Sequence, residues 1–176
     1  DDKFERNVPE IVQLVKGITD RPIRYILNTH HHGDHSGGNA LLLPTAEIFL
    51  HTKARDNMDR TKQPGAPRVA FADELSLRLA GKEVRARHFG RGHTDGDAII
   101  QFPAHRLIHT GDMFVAGAPF IDYTSGGSGV SWTETLNRVL ALDFDRVIPG
   151  HGPVMKKADL AAWTKSFETV RERIQK

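Results

Sequence analysis

A run of six residues that matches the pattern H-x-H-x-D-H offers the clearest chemistry in the chain. On an extended backbone alternate side chains point the same way, so His30 and His32 can bind one cation. Gly33 is expected to permit a sharp turn, after which Asp34 and His35 can aim at a second point nearby. Imidazole and carboxylate groups suit zinc, iron or manganese. The run therefore predicts a metal-dependent hydrolase.

Three later segments carry ligand-type residues at the ends of predicted strands: Gly92-His93-Thr94, Gly111-Asp112 and Gly150-His151-Gly152. Small neighbours let the backbone approach a cation, and strand-end loops are where a rigid scaffold presents chemistry. Taken alone, a histidine in a glycine turn is more often an ordinary loop residue. The order in which the segments follow the histidine run is what makes them informative.

That order, H-x-H-x-D-H, then Gly-His-Thr, Thr-Gly-Asp and Pro-Gly-His-Gly, resembles the metallo-β-lactamase fold hydrolases over nearly all 176 residues. The resemblance implies two zinc ions, with iron or manganese as alternatives, and a water or hydroxide between them. The implied ligands are His30, His32 and His93 for one metal, Asp34, His35 and His151 for the other, and Asp112 for both. A shared carboxylate suits two cations about 3.5–4 Å apart.

A dinuclear centre of this kind needs no protein nucleophile. One zinc already lowers the pKa of its bound water to about 7, and the metals also polarise the bond under attack. We expect a bridging hydroxide to attack a small ester, thioester, lactone or β-lactam. Asp34 could also act catalytically by orienting the water or accepting its proton. Thr94 and Asp97 could fix the imidazole tautomers.

The glycine-rich stretch after Asp112 is the candidate for substrate binding. It contains Asp122 and Tyr123 and could overhang the metals, although a merely flexible connection fits the sequence equally well. Among the family's functions, two departures count as negative information. Asp112 stands where zinc β-lactamases with a cysteine ligand would need that cysteine, and no glutathione-binding domain follows His151 in this sequence.

Other functions stay open. An iron-dependent sulfur dioxygenase of the same fold would use mainly His30, His32 and Asp112. A non-catalytic, metal-stabilised module belongs to another class, as does a nucleic-acid-processing domain, which the basic residues within 53–68 suggest. The net charge of +2 gives nucleic-acid binding little support.

Composition limits the remaining possibilities. The chain has no cysteine, which excludes disulfides and thiolate ligands but leaves a cytoplasmic and a periplasmic location equally open. No stretch approaches the roughly 18 apolar residues of a membrane span, so we expect a soluble chain with a small-molecule substrate and no membrane partner. The length predicts a single domain over residues 1–176.

The elements that must position these ligands follow from hydrophobic periodicity and turn signals. Asn7 with Glu10, and Ser131 with Glu134, are predicted to form helix capping pairs. Helices are predicted at 7–19, 36–43, within 52–70 before an exposed loop, 131–142 and about 160–174; strands are predicted at 23–28, 46–51, 74–79, 82–88, 97–102, 105–110 and 146–149.

These elements, together with the resemblance, predict an α+β fold: a metallo-β-lactamase-like αββα sandwich. The family usually has several strands before the helix that leads to the histidine run, whereas here that helix begins almost at once. We therefore expect an incomplete amino-terminal sheet. Unpaired strand edges invite another chain, so self-association through the exposed edge, or a longer precursor, is expected.

Overall fold

The computed structural model describes residues 1–174. They form two compact units, residues 1–72 and residues 73 onward. Helices and strands are present in both units, and each has its own sheet, so the predicted α+β class is confirmed. The single domain over residues 1–176 stays a prediction. Within the described residues, every helix is too short or too polar to cross a bilayer.

The first unit is a small parallel sheet with helices between its strands. The strands pair in the order β1, β2, β3, with Ile26 opposite Ile48 and Leu50 opposite Ala70. Its core packs helix α1 against the sheet through buried Val8, Ile26 and Ile48. The elements are α1 (Val8–Lys16), β1 (Tyr25–Leu27), α2 (Gly33–Ser36), α3 (Asn39–Leu42), β2 (Glu47–His51), α4 (Thr52–Thr61) and β3 (Val69–Phe71).

The second unit is a six-stranded sheet with two long helices. Its strands pair in sequence order and antiparallel, except that β7 and β8 are parallel. The fully buried Trp132, Phe114 and Phe144 belong to its core. The elements are β4 (Glu74–Leu79), β5 (Lys82–Arg87), β6 (Ile99–Phe102), β7 (Leu107–His109), α5 (Gly129–Leu140), β8 (Arg146–Ile148), β9 (Met155–Lys156) and α6 (Lys157–Ile174).

The predicted antiparallel meander is confirmed, because β4 to β7 occupy the four segments expected from alternation. The exposed loop predicted before residue 70 is wrong in part. Its last residues form β3, which pairs in parallel with β2. This strand has only three residues, so its tertiary partner and not its own pattern defines it.

Both predicted capping pairs are wrong. A 3₁₀ turn, Glu5–Asn7, runs directly into α1, so Asn7 already has helical dihedrals and makes no side-chain cap. Helix α5 begins two residues earlier than expected, and Ser128 in extended conformation caps it by accepting from Ser131 N at 3.2 Å. Glu134 pairs instead with Arg138 one turn later. In both cases the cap depends on the residue's dihedrals, which the sequence pattern does not fix.

Candidate metal centre

The histidine run begins three residues after Leu27, the last residue of β1, in the first unit. His32 is extended, with φ −60° and ψ 146°, and precedes the one-turn helix α2. Ser36 Oγ donates to the carbonyl oxygens of His31 at 2.8 Å and His32 at 3.1 Å. The Ser36 side chain of α2 therefore stabilises the backbone conformation of the loop that precedes this helix.

The expected role of Gly33 is wrong. Gly33 is the first residue of α2, it does not have positive φ, and a Cβ there would meet nothing within 4 Å. The start of the helix makes the turn, and no glycine-specific conformation is required.

The first unit brings its four predicted ligands together in two pairs. One ligand atom of His30 and one of His32 lie within 4.8 Å of each other. His35 Nε2 lies 3.5 Å from Asp34 Oδ2. His30 and His35 are almost wholly buried, so their rings are fixed by packing. This pairing agrees with the expectation that His30 and His32 face one metal and that Asp34 and His35 face another.

A carboxylate that sequence reasoning missed orients two of these rings. Asp1 Oδ2 lies 2.9 Å from His35 Nδ1, and the hydroxyl of Thr29 donates to the same carboxylate at 2.9 Å. Thr29 Oγ1 in turn lies 3.1 Å from His30 Nδ1. With both Nδ1 atoms protonated toward these oxygens, Nε2 of each ring carries the lone pair that a metal requires. The pattern gave no signal for this because Asp1 is far from the run in sequence.

Removing the charge of this carboxylate should weaken metal binding. We expect Asp1→Asn to lower zinc affinity by roughly 10–100-fold, as is typical when a group that orients a ligand is lost. Zinc titration with a competing chromophoric chelator measures the effect. Asp20→Asn, an exposed change in the same unit, is the matched control. Equal affinities for the two variants would contradict the orienting role of Asp1.

The second unit places its three predicted ligands at strand ends. His93 lies in the loop between β5 and β6, Asp112 in a 3₁₀ turn after β7, and His151 after β8. Asp112 Oδ2 is 3.7 Å from His93 Nε2, and its Oδ1 is 3.4 Å from His151 Nε2. Each carboxylate oxygen thus faces a different imidazole nitrogen, which is the arrangement a bridging carboxylate needs.

Backbone groups constrain the predicted ligands of the second unit. His93 Nδ1 lies 2.7 Å from the carbonyl oxygen of Phe120, so the ring donates there and keeps Nε2 as its acceptor atom. A Cβ on Gly150 would collide with Asp112 Oδ1. The glycine beside His151 is therefore required for the backbone to pass the carboxylate.

The expected role of Thr94 and Asp97 in fixing imidazole tautomers stays a prediction. Asp97 accepts from Thr94 N at 2.8 Å and from Thr94 Oγ1 at 2.6 Å, which fixes the loop after the histidine. Burial raises the pKa of Asp97, while the nearby His93 and the bonds from Thr94 oppose that rise.

The two residues predicted to bind substrate, Asp122 and Tyr123, have different surroundings in the structure. The Asp122 carboxylate accepts from the backbone nitrogens of Thr124 and Ser125 at 3.0 and 3.1 Å and so holds a turn. Tyr123 is exposed and lines a different cavity from the one beside the ligands. The cavity at the ligands has a volume of about 350 Å³ and is lined by His93, Asp112, Val115, Ala116, Gly117, Ala118, Phe120 and His151.

Several histidines that were not predicted as ligands have structural partners. One ring nitrogen each of His51, His88 and His109 lies within 3.0 Å of a backbone carbonyl oxygen. Such contacts are those of histidines that stabilise loops and strand ends.

The chain matches a known protein family over most of its length. The model of the metallo-beta-lactamase superfamily matches residues 8–151. The chain therefore belongs to the metallo-β-lactamase superfamily. The structure of a metallo-beta-lactamase from Pontibacter korlensis superposes with a TM-score of 0.83 at 19% identity, covering 94% of this chain and 80% of that one. This likeness confirms the predicted fold.

Two proteins that are similar to this chain in sequence are named as different enzymes. The chain is 33% identical over 152 residues to the hydroxyacylglutathione hydrolase of Nostoc punctiforme, covering 77% of this chain and 53% of that protein. It is 29% identical over 135 residues to 2,4-dinitroanisole O-demethylase subunit alpha of Nocardioides sp. strain JS1661, covering 74% and 41%. The chain spans about half the length of the curated relatives it matches.

Proposed function

We propose that this protein is a dinuclear zinc hydrolase that acts on a small ester or thioester, with lactones and β-lactams as further candidates. The observation that carries the proposal is the position of Asp112, with one carboxylate oxygen toward His93 and the other toward His151. Membership of the superfamily and the similarity to a hydroxyacylglutathione hydrolase support hydrolysis as the reaction.

The donor set fits zinc. Five imidazoles and two carboxylates are nitrogen and oxygen ligands of the kind zinc prefers, and the buried rings have their other nitrogen committed to protein oxygens. In the proposal, His30, His32 and His93 hold one ion, Asp34, His35 and His151 hold the other, and Asp112 is shared. Bound zinc would supply Lewis acidity and a water of lowered pKa.

The chain's own groups would then position the substrate and handle the proton. The cavity beside His93 and His151 is walled by Val115, Ala118 and Phe120, which suits an uncharged acyl group. Asp34 is the proposed proton acceptor, because its carboxylate is only about one-third exposed and lies at the ligand cluster of its unit.

The nucleic-acid alternative has little support from the basic segment. Arg55 bonds to the Pro67 carbonyl and to Asp59, and Arg68 pairs with Glu47. Arg55 and Arg68 therefore make contacts within the first unit.

Removal of metal is the test of the proposed function. Zinc-loaded protein should contain two zinc equivalents by mass spectrometry and hydrolyse members of an ester, thioester, lactone and β-lactam panel. Treatment with EDTA should lower turnover by at least about 100-fold, and added zinc should restore it, because the attacking water would lose its activation. Turnover that survives chelation would contradict the proposal. Bound iron with oxygen consumption and no hydrolysis would favour the dioxygenase.

A further inference from the structure

A second cavity in the second unit is separate from the ligand cavity and has no role in the proposed hydrolysis. Its volume is about 430 Å³, which lies within the range of small-molecule sites. It is lined by Arg91, Ile121, Tyr123, Gly127, Ser128, Gly129, Val130, Phe167, Val170, Arg171 and Ile174. None of these residues is a proposed metal ligand.

The wall of this cavity is unusually apolar for a surface. Tyr123, Val130, Val170 and Ile174 are all at least half exposed, and all four face the same cavity. Contiguous exposed apolar side chains of this kind mark binding sites more often than chance placement does. The cavity therefore favours a ligand with a hydrocarbon portion.

Two arginines supply positive charge at the same cavity. Arg91 Nε donates to the Gly126 carbonyl at 2.6 Å, and Arg171 Nη1 donates to the Val130 carbonyl at 3.1 Å. These acceptors are neutral, so the bonds position the guanidinium groups without neutralising them. Nε of Arg171 is buried and has no hydrogen-bond partner among residues 1–174.

Carboxylates also lie near the two arginines, and that of Asp95 packs against Gly126, whose carbonyl accepts from Arg91. The Glu168 carboxylate pairs with Lys165 Nζ at 2.8 Å, which lowers its pKa, and the charge of Arg171 lowers that pKa to a smaller extent. The amino-terminal end of α5, at Ser128 and Gly129, also borders the cavity and adds its partial positive charge. An anionic group would thus find two guanidinium groups beside an apolar wall.

We propose that this cavity binds an amphipathic anion, a hydrocarbon chain ending in a carboxylate or a phosphate, at a site distinct from the metal centre. The arginines bind the anionic head, and the apolar wall formed by α5, α6 and Tyr123 covers the chain. Charge-assisted bonds from arginine fit both head groups, so the two head groups are compared in the test.

Isothermal titration calorimetry of the zinc-loaded protein tests the proposal with octanoate, octyl phosphate and the neutral 1-octanol. We expect saturable binding of one equivalent of octanoate or octyl phosphate, and the tighter of the two identifies the head group. Arg91→Gln and Arg171→Gln should each weaken that binding by about tenfold, since each removes one charge-assisted contact. 1-Octanol should bind at least about tenfold more weakly for the same reason.

Matched variants separate the site from general effects. Arg173 lies on α6, the helix that carries Arg171, but does not line the cavity. Arg173→Gln should therefore leave binding unchanged. Val170→Glu should abolish binding, whereas Val154→Glu, at a similarly exposed site elsewhere in the unit, should not. Arg91 is exposed, so its variant reports on binding even if Arg171→Gln fails to fold. No saturable binding, equal binding of 1-octanol, or binding that depends on zinc and not on Arg91 would each overturn the proposal.

Discussion

Asp112→Asn should eliminate hydrolysis, with turnover lowered by at least about 100-fold and the zinc content falling below two equivalents. The carboxylate faces His93 with one oxygen and His151 with the other. An amide of the same shape keeps one carbonyl oxygen but loses the charge and replaces the second oxygen with a donor, which cannot bind a cation. Metal content by mass spectrometry and turnover on the best substrate of the panel measure both effects.

Asp143→Asn is the matched control for that variant. Its carboxylate is exposed and pairs with Arg106 in the same unit, so the same chemical change there should leave zinc content and turnover unaltered. Gly150→Ala provides an independent approach, because its Cβ would displace the Asp112 carboxylate without removing it. It should reproduce the loss of zinc. Full zinc content in both Asp112→Asn and Gly150→Ala would contradict the shared-carboxylate proposal.

The sequence could predict candidate ligand segments because their chemistry is local. Imidazoles spaced by one residue, and single ligands beside glycine, identify themselves by residue type. The structure brings each predicted ligand to a strand end or a short helix of its own unit. What made the prediction specific was the order of four motifs along the chain.

The groups that orient the ligands could not be predicted from the sequence. The carboxylate of Asp1 reaches His35 across a separation of 34 residues, and the carbonyl that binds His93 belongs to Phe120, 27 residues away. A backbone carbonyl is present in every residue, so no side-chain pattern can reveal which one a histidine contacts. Only the tertiary fold selects these partners.

The errors in the prediction of the fold have a similar cause. Caps depend on dihedral angles, and the short β3 depends on a neighbouring strand, so neither is encoded by periodicity. The meander from β4 to β7 was accessible because each strand has its own alternation and each turn its own glycine or proline. Local regularity thus predicted the second unit better than the first.

Trp132→Ala should destabilise the second unit by about 3–5 kcal/mol, the usual cost of removing a buried tryptophan side chain. Trp132 is fully buried, donates from Nε1 to the Met113 carbonyl at 3.0 Å, and packs against Trp163 and Phe167. Loss of the indole leaves both a cavity and an unsatisfied carbonyl. Urea denaturation followed by far-ultraviolet circular dichroism gives the change in the free energy of unfolding.

Trp132→Ala also tests whether packing of the core supports the proposed metal site. The indole ring lies 6.3 Å from the ring of His93, and the residue it bonds, Met113, follows Asp112 directly. Trp132→Ala should therefore lower zinc affinity as well as stability, whereas Trp132→Phe, which keeps an aromatic ring, should lose less of both. Val130→Ala, an exposed change on the same helix, should alter neither. If Trp132→Ala lost stability but bound zinc normally, the packing beneath His93 would not position the ligand, and the bond to Phe120 would be sufficient.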